Sequence, residues 1–240
     1  MKPRLDLLLV ERGLAPTREK AQALIMAGDV LVDGRKAEKS GQPVDDSSRI
    51  EVLAQPPFVS RGGLKLDAAI EQFNLRVEGR ICLDVGASTG GFTDCLLQHG
   101  AARVHAVDVG SGQLDWKIRN DARVVVHEKL NARYLRFEDL GEPIDLAVCD
   151  VSFISATLIL PAVVPLLQSG GEMVILVKPQ FEAGKGQVGK GGIVREPELQ
   201  QAACRRVDHA ARQYGFKTGI IESPILGAEG NREFLLYAHH

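Results

Sequence analysis

From about residue 60 onward, short apolar runs alternate with stretches whose apolar residues recur at helical spacing. The runs at Ile81–Val85, Val104–Val109, Arg123–Val126, Asp145–Cys149, Met173–Val177, Phe216–Glu222 and Phe234–Ala238 read as strands. Helical patterns fall between most of them, at Leu64–Phe73, Gly91–His99, Ala156–Leu167 and Glu198–Tyr214, and Pro197 suits the first position of the last helix. Strand and helix in alternation predict an α/β fold with a doubly wound, mostly parallel sheet. The last two strands are joined by Ser223–Arg232, which carries no helical pattern. That predicts a seven-stranded sheet with an antiparallel last strand.

Residues 1–54 read as a separate small α+β unit, 55–60 as a linker and 61–240 as the α/β domain. Leu5, Leu7, Leu8 and Leu9 belong to a short helix that ends near Gly13. Thr17 is placed to cap a second helix, which carries Ala21, Ala23, Leu24, Ile25 and Ala27 and stops at Gly28. Lys20 stands where a capping box would have Glu, so the box is incomplete. Val30-Leu31-Val32 runs into Asp33-Gly34, a hairpin signal, and Ile50–Leu53 is a later strand. Gln55-Pro56-Pro57 breaks the pattern as a stiff connector.

The segment Leu83-Asp84-Val85-Gly86-Ala87-Ser88-Thr89-Gly90-Gly91-Phe92-Thr93-Asp94 joins an apolar strand to a helix through a glycine-rich turn. Such a turn lets a small ligand sit against bare backbone at the mouth of a parallel sheet. Val107-Asp108 closes the next strand with a carboxylate able to accept from ribose hydroxyls. Ser88 stands where a dinucleotide fingerprint has its second glycine, the one that admits a pyrophosphate. S-adenosylmethionine has no pyrophosphate and suits this turn better. Candidate cofactor contacts are therefore Asp84, Gly86, Ala87, Ser88, Gly90, Gly91, Phe92 and Asp108, with Asn131 after the third strand as either an adenine-side contact or a simple cap. A tight turn in an unrelated α/β domain is the plainer reading of the same residues.

Composition narrows the partners. The formal net charge is −2, so bulk charge announces no polyanion, and residues 1–55 hold nine basic and nine acidic side chains. Any nucleic-acid footprint must come from clustering on one face. No apolar run is long enough to span a bilayer and the N-terminus lacks an export signal, which predicts a cytoplasmic protein with no membrane partner. Cys82, Cys95, Cys149 and Cys204 show no Cys-x-x-Cys spacing, and the six histidines form no ligand pattern, so no metal is expected. Gly184–Gly192 reads as a mobile loop, either a lid or plain flexible chain.

Ligands of open α/β sheets bind beyond the carboxyl ends of the strands. Four charged residues gather there by prediction: Lys65 before the first strand, Asp150 and Lys178 directly after two others, and Glu233 at the entry of the antiparallel one. Charge at a strand end commonly marks only where solvent begins, and two surface ion pairs would satisfy the same pattern. All four on one edge is harder to reach by accident.

Three sets of residues carry a family resemblance. Arg4-Leu5-Asp6, Thr17-Arg18 with Ala21, and Gly28-x-Val30-x-Val32-Asp33-Gly34 resemble the S4 RNA-binding domain. Lys65, Asp150, Lys178 and Glu233 resemble the Lys-Asp-Lys-Glu tetrad of FtsJ-type ribose 2′-O-methyltransferases. An S4 domain ahead of such a domain, with Asp150–Ser155 and Val177–Glu182 in similar wording, resembles the TlyA, or hemolysin-like, family of ribosomal RNA methyltransferases. The turn departs from the FtsJ spelling, which has Pro where Thr89 stands.

The resemblance implies a class I methyltransferase fold and S-adenosyl-L-methionine as cofactor. It further implies ribose 2′-O-methylation of cytidine in ribosomal RNA, within ribosomal subunits or their precursors. It makes Arg4, Arg12, Arg18, Lys20 and Lys36 candidate RNA contacts, Lys178 the general base, Asp150 its orienting partner, and Lys65 with Glu233 the pair that holds the target ribose. A lysine of ordinary pKa, about 10.4, is protonated at neutral pH. Desolvation and a neighbouring cation such as Lys65 are the means by which a base of this kind is made available. A nicotinamide-dependent oxidoreductase, a membrane-lytic protein and a non-catalytic RNA-binding assembly factor are the competing readings. Oligomeric state is not legible.

Overall fold

The computed structural model describes residues 2–53, 56–184, 186, 188–189, 191–227 and 230–240. The chain divides between Pro56 and Pro57 into two units.

The first unit holds α1 (Leu5–Glu11) and α2 (Arg18–Ala27), then β1 (Val30–Val32), β2 (Arg35–Lys36) and β3 (Ile50–Val52) in an antiparallel sheet of order β2-β1-β3. Thr17 accepts from the Lys20 amide and so starts α2, while Gly28, with φ at 78°, ends it in the left-handed conformation. Asp33 and Gly34 both have positive φ, 50° and 77°, as the two-residue turn between β1 and β2 requires. Leu5, Leu8, Leu9, Ile25 and Val30 are buried together between helices and sheet.

The second unit runs α3 (Gly62–Phe73), β4 (Ile81–Val85), α4 (Gly91–Gln98), β5 (Arg103–Asp108), α5 (Trp116–Arg119), β6 (Val124–Glu128), α6 (Phe137–Leu140), β7 (Ile144–Cys149), α7 (Leu160–Val163), β8 (Leu167–Val177), α8 (Pro179–Glu182), α9 (Pro197–Arg212), β9 (Lys217–Glu222) and β10 (Phe234–His239). The sheet order is β6-β5-β4-β7-β8-β10-β9, with β10 antiparallel to both neighbours. Strand order reverses between β4 and β7, the switch point at which such sheets bind ligands. Two apolar cores cover the two faces. Leu83, Val85 and Val107 point into one, Cys82, Val104 and Val148 into the other, as strand alternation demands.

The expected helix over Ala156–Leu167 is broken. A 3₁₀ turn (Ala156–Leu158), the four-residue α7 and a second 3₁₀ turn (Val164–Leu166) replace it, and Leu167 already opens β8. Pro161 and Pro165 each lack the amide that a continuous helix would use. The expected linker is shorter than 55–60. Phe58 packs in the core of the second unit and the Val59 amide donates to Asp94 Oδ2 at 2.8 Å. Gln55, at the start of that stretch, and Lys185, Gln187 and Lys190, in the expected loop at Gly184–Gly192, lie outside the described residues.

Candidate active site

Strand register brings the tetrad together. Phe234 pairs with Val177, so Lys178 and Glu233 are the next residues on those strands at the same edge. Val85 pairs with Cys149, which sets Asp150 beside Gly86. Lys65 comes from the first turn of α3. Its Nζ lies 2.6 Å from Glu233 Oε2, with both side chains at least nine-tenths buried. Lys178 Nζ lies 2.5 Å from Asp150 Oδ1 and donates to Ser152 Oγ at 2.8 Å. The four stand as two ion pairs, the second reaching solvent through Asp150 (22% exposed). Pairing with Glu233 compensates the Lys65 charge, so Lys65 acts on Lys178 less as a bare cation than the sequence suggests.

Two glycines make room for this. A side chain at Gly86, where φ is 86°, would collide with the Asp150 carbonyl. One at Gly227 would collide with the Glu233 carboxylate. Ser88, in the position that a dinucleotide fingerprint gives to glycine, adopts a glycine-like φ of 49°.

A cavity of about 460 Å³ opens over the turn, within the range of about 300–1,000 Å³ typical of small-molecule sites. Gly86, Ala87, Ser88, Gly91 and Phe92 line it, together with Lys65 and Asp150 of the tetrad. Lys178 and Glu233 are not in its wall; each is ion-paired to a residue that is. Gly90 faces away, packed against Leu114. Asp108 spends an oxygen on each of two amides, Ser88 (2.8 Å) and Gly110 (2.7 Å), bracing the turn while each oxygen keeps a lone pair. Asn131 accepts from the Arg133 amide and caps the 3₁₀ turn at Ala132–Tyr134.

Three buried side-chain oxygens among the described residues have no aligned hydrogen bond: Asp84 Oδ1, Asp150 Oδ1 and Gln180 Oε1. Asp84 and Asp150 stand at the carboxyl ends of β4 and β7 and Gln180 in α8 just after β8, and of the three Asp150 lines the cavity. Buried acceptors of this kind call for a partner. Asp84 is fully buried, its Oδ2 taken by the Thr93 hydroxyl at 2.6 Å. Burial pushes its carboxyl up to about 7; the Thr93 hydrogen bond opposes this and the Asp150 charge adds to it. A backbone-lined cavity with acidic groups beneath it fits a zwitterionic, cationic ligand of the size of S-adenosylmethionine.

Sequence reasoning passed over Ser60, Arg61 and Gly62, which line the same cavity just before Lys65, and Phe153. The run Ser60-Arg61-Gly62-Gly63 was the available signal for the first three. Phe153 is 90% exposed, has φ at 68°, and follows the serine bound to Lys178. A large apolar ring left in solvent on strained backbone beside a buried amine suits contact with a planar partner. The cysteines are buried, and burial pushes the Cys82 thiol up to about 12. One grouping of ligand-type atoms does form, contrary to the histidine spacing: Asp67, Cys95 and His99 come within 4.8 Å, with His99 Nε2 already 2.7 Å from Asp67 Oδ1.

In the first unit the basic candidates divide. Arg4 and Arg18 both bind the buried Asp6 carboxylate, at 2.9 Å each, and Gln22 joins them. These contacts hold the Asp6 carboxyl far below the usual range, with Arg4 the largest cause. About half of each arginine side chain stays exposed. Arg12 donates to the Ser48 and Asp46 carbonyls and so braces a loop. Lys20 and Lys36 are exposed.

The FtsJ-like methyltransferase family profile matches residues 58–240, and the S4 domain profile matches residues 3–50. The chain is 48% identical, over 98% of its length and 89% of the relative's, to the 16S/23S rRNA (cytidine-2′-O)-methyltransferase TlyA of Mycobacterium tuberculosis. It is 45% identical, over 98% of both, to Hemolysin A of Brachyspira hyodysenteriae. Among solved structures it resembles "Putative hemolysin from Streptococcus thermophilus" at 47% identity and a TM-score of 0.76, covering 99% of this chain and 88% of that one. No helix among the described residues is long and apolar enough to cross a membrane.

Proposed function

Since this chain belongs to the FtsJ-like methyltransferase family and carries an S4 domain ahead of the matching region, we propose that it methylates the ribose 2′-hydroxyl of a cytidine in ribosomal RNA, using S-adenosylmethionine. The observation that carries the reading is the Lys178–Asp150 pair at 2.5 Å, with Asp150 in the wall of the glycine-turn cavity.

When bound, S-adenosylmethionine supplies an electrophilic methyl group on a sulfonium. Gly86, Ala87, Ser88 and Gly91 offer backbone to its methionine part, Asp108 its remaining lone pairs to ribose hydroxyls, and Asp84 its orphaned oxygen to a cationic group through water. Phe92 closes the wall.

A ribose hydroxyl is a weak acid and needs a base in line with the methyl donor. Lys178, once neutral, takes that proton on Nζ. Asp150 holds the amine in place and orients the hydroxyl, and Lys65 with Glu233 fixes the sugar. General-base assistance of this kind contributes about 10²–10⁴-fold, and holding the two reactants in line adds the rest of the acceleration through positioning. No oxyanion forms, so no oxyanion hole is needed.

The S4 unit supplies affinity. Arg4 and Arg18, held at fixed angles by Asp6, present their exposed edges to phosphate, and the solvent-exposed Lys20 and Lys36 add charge to the unit. Arg12, committed to loop carbonyls, supports the unit more than it grips RNA. The substrate on this reading is a ribosomal subunit or its precursor, which places the enzyme in the cytoplasm.

Transfer of labelled methyl from S-adenosylmethionine to purified ribosomal subunits, followed by nuclease mapping of 2′-O-methyl sites, tests the proposal. Label at a cytidine ribose supports it. Absence of label from both subunits and from free ribosomal RNA overturns it.

A further inference from the structure

Two residues that the mechanism above leaves idle are linked to Lys178. Ser152 Oγ accepts from Lys178 Nζ at 2.8 Å. A neutral amine has two N–H groups and one lone pair. Ser152 Oγ takes one N–H, while Asp150 Oδ1, 2.5 Å away, is paired by charge without an aligned hydrogen bond. The Ser152 contact therefore fixes one N–H and, with it, where the lone pair can turn to receive a substrate proton.

The loop that carries Ser152 is tied down at its far end. The Glu182 carboxylate, 4% exposed, accepts from Ser155 Oγ at 2.5 Å and from the Ala156 amide at 2.6 Å. Glu182 closes α8, the helix that starts immediately after Lys178. Arg206 on α9 donates to the Glu182 carbonyl at 3.0 Å and holds α8 from behind. The same two chain segments are thus joined twice, once at Lys178–Ser152 and once at Glu182–Ser155/Ala156. Between these ties sits Phe153 with its positive φ, a conformation that persists only where its surroundings enforce it.

We propose that Ser152 is a positioning residue that aims the Lys178 amine, and that Glu182 holds it there by clamping the loop between β7 and Ala156. The inference rests on Lys178 being the base. Neither residue need touch substrate; both act through Lys178.

The test compares Ser152→Ala, Ser152→Thr, Glu182→Gln and Ser155→Ala in the full-length protein, with Lys178→Ala as control. Ser152→Ala is expected to lower kcat about tenfold, the loss of one well-placed hydrogen bond, while the KM for ribosomal subunits and the Kd for S-adenosylhomocysteine stay within about twofold. Ser152→Thr, which keeps the hydroxyl, restores most of kcat. Glu182→Gln replaces the charged acceptor of both hydrogen bonds by a neutral amide, weakens the clamp and lowers kcat selectively although Ser152 is intact. If Glu182→Gln does not fold, Ser155→Ala removes half of the clamp and reads the same effect.

A wild-type kcat in Ser152→Ala, or a loss spread equally over kcat, KM and Kd, overturns the inference. Full activity in Lys178→Ala instead overturns the base assignment beneath it. An inactive Lys178→Ala beside a fully active Ser152→Ala leaves the base standing and removes this inference alone.

Discussion

Lys65 and Glu233 are 168 residues apart in sequence, yet their side chains meet at 2.6 Å in a nearly dry site. The contact ties the first turn of α3 to the entry of β10, across the edge where the cavity opens. Breaking a buried pair leaves one uncompensated charge, at a cost of about 3–5 kcal/mol, whereas replacing both partners by apolar groups is often close to neutral. Lys65→Ala and Glu233→Ala should each lower stability by that order in denaturant unfolding. The double variant Lys65→Met/Glu233→Leu should recover most of the stability and none of the methyl transfer. Recovery of both would mean that the pair only supports the fold.

On the proposed reading, Asp84 should give cofactor capture a pH dependence. Its carboxyl is pushed up to about 7 by burial, so the empty site holds it largely protonated below that pH. A cationic ligand favours the ionised form. Affinity for S-adenosylhomocysteine, measured calorimetrically, should therefore rise as pH climbs from 6 to 8, and Asp84→Asn should flatten the rise. A pH-independent affinity in the parent protein would detach Asp84 from the ligand.

The legible part of this fold was the part written in continuous runs. Ile81–Val85 and Met173–Val177 are buried on both faces, so each announces its strand, and the absence of a helix in Ser223–Arg232 announced the antiparallel β10. Asp33-Gly34 declared its turn because few other residues accept two positive φ angles. The Ala156–Leu167 stretch misled because its apolar spacing is helical while its two prolines forbid the hydrogen bonds. The four-residue α5, α6 and α8 are too short to show a period. At the site, Lys65, Asp150, Lys178 and Glu233 could be placed on one edge from the strand ends and paired as Lys65 with Glu233 and Lys178 with Asp150, the pairs that form, whereas the distances follow only from register and burial. Ser152, Glu182 and Phe153 were hidden: a hydroxyl, an acid and a ring in a loop carry no pattern until the loop is closed.

His127 sets an acid limit on stability. Its ring hydrogen-bonds His105 at 3.0 Å, and burial first, then the His105 charge, lowers its pKa below the ordinary 6.5, with Asp139 opposing. The folded protein then binds fewer protons than the unfolded chain in this range, so stability is full above about 6.5 and falls as pH drops below it. The Tm should decline between pH 7 and 5, and His127→Gln should make that decline shallower. An unchanged slope in the variant would place the acid sensitivity elsewhere.

Phe153 is the surface residue whose loss should matter most. At 90% exposure it contributes almost nothing to folding, so Phe153→Ala should leave Tm unchanged. Stacking of a nucleobase on an aromatic ring is worth about 1–3 kcal/mol, which predicts a fall of about 5–150-fold in kcat/KM for RNA. Equal kcat/KM in parent and variant would show that the ring does not meet the base.

The S4 unit should reveal itself through salt. Arg18→Ala and Lys20→Ala should weaken binding to ribosomal RNA and flatten its dependence on salt concentration, each by about one phosphate contact. Arg12→Ala should instead lower the stability of the unit. A salt slope unchanged by Arg18→Ala and Lys20→Ala together would move the RNA footprint off this face.

On the proposed mechanism the Lys178 amine takes the proton of a ribose hydroxyl. Single-turnover methyl transfer by Lys178→Ala to ribosomal subunits, run beside its S-adenosylhomocysteine affinity, tests it most directly. The rate should fall by at least about 100-fold with affinity within about twofold of the parent. Transfer at near the parental rate, in a variant that still binds cofactor, would contradict it.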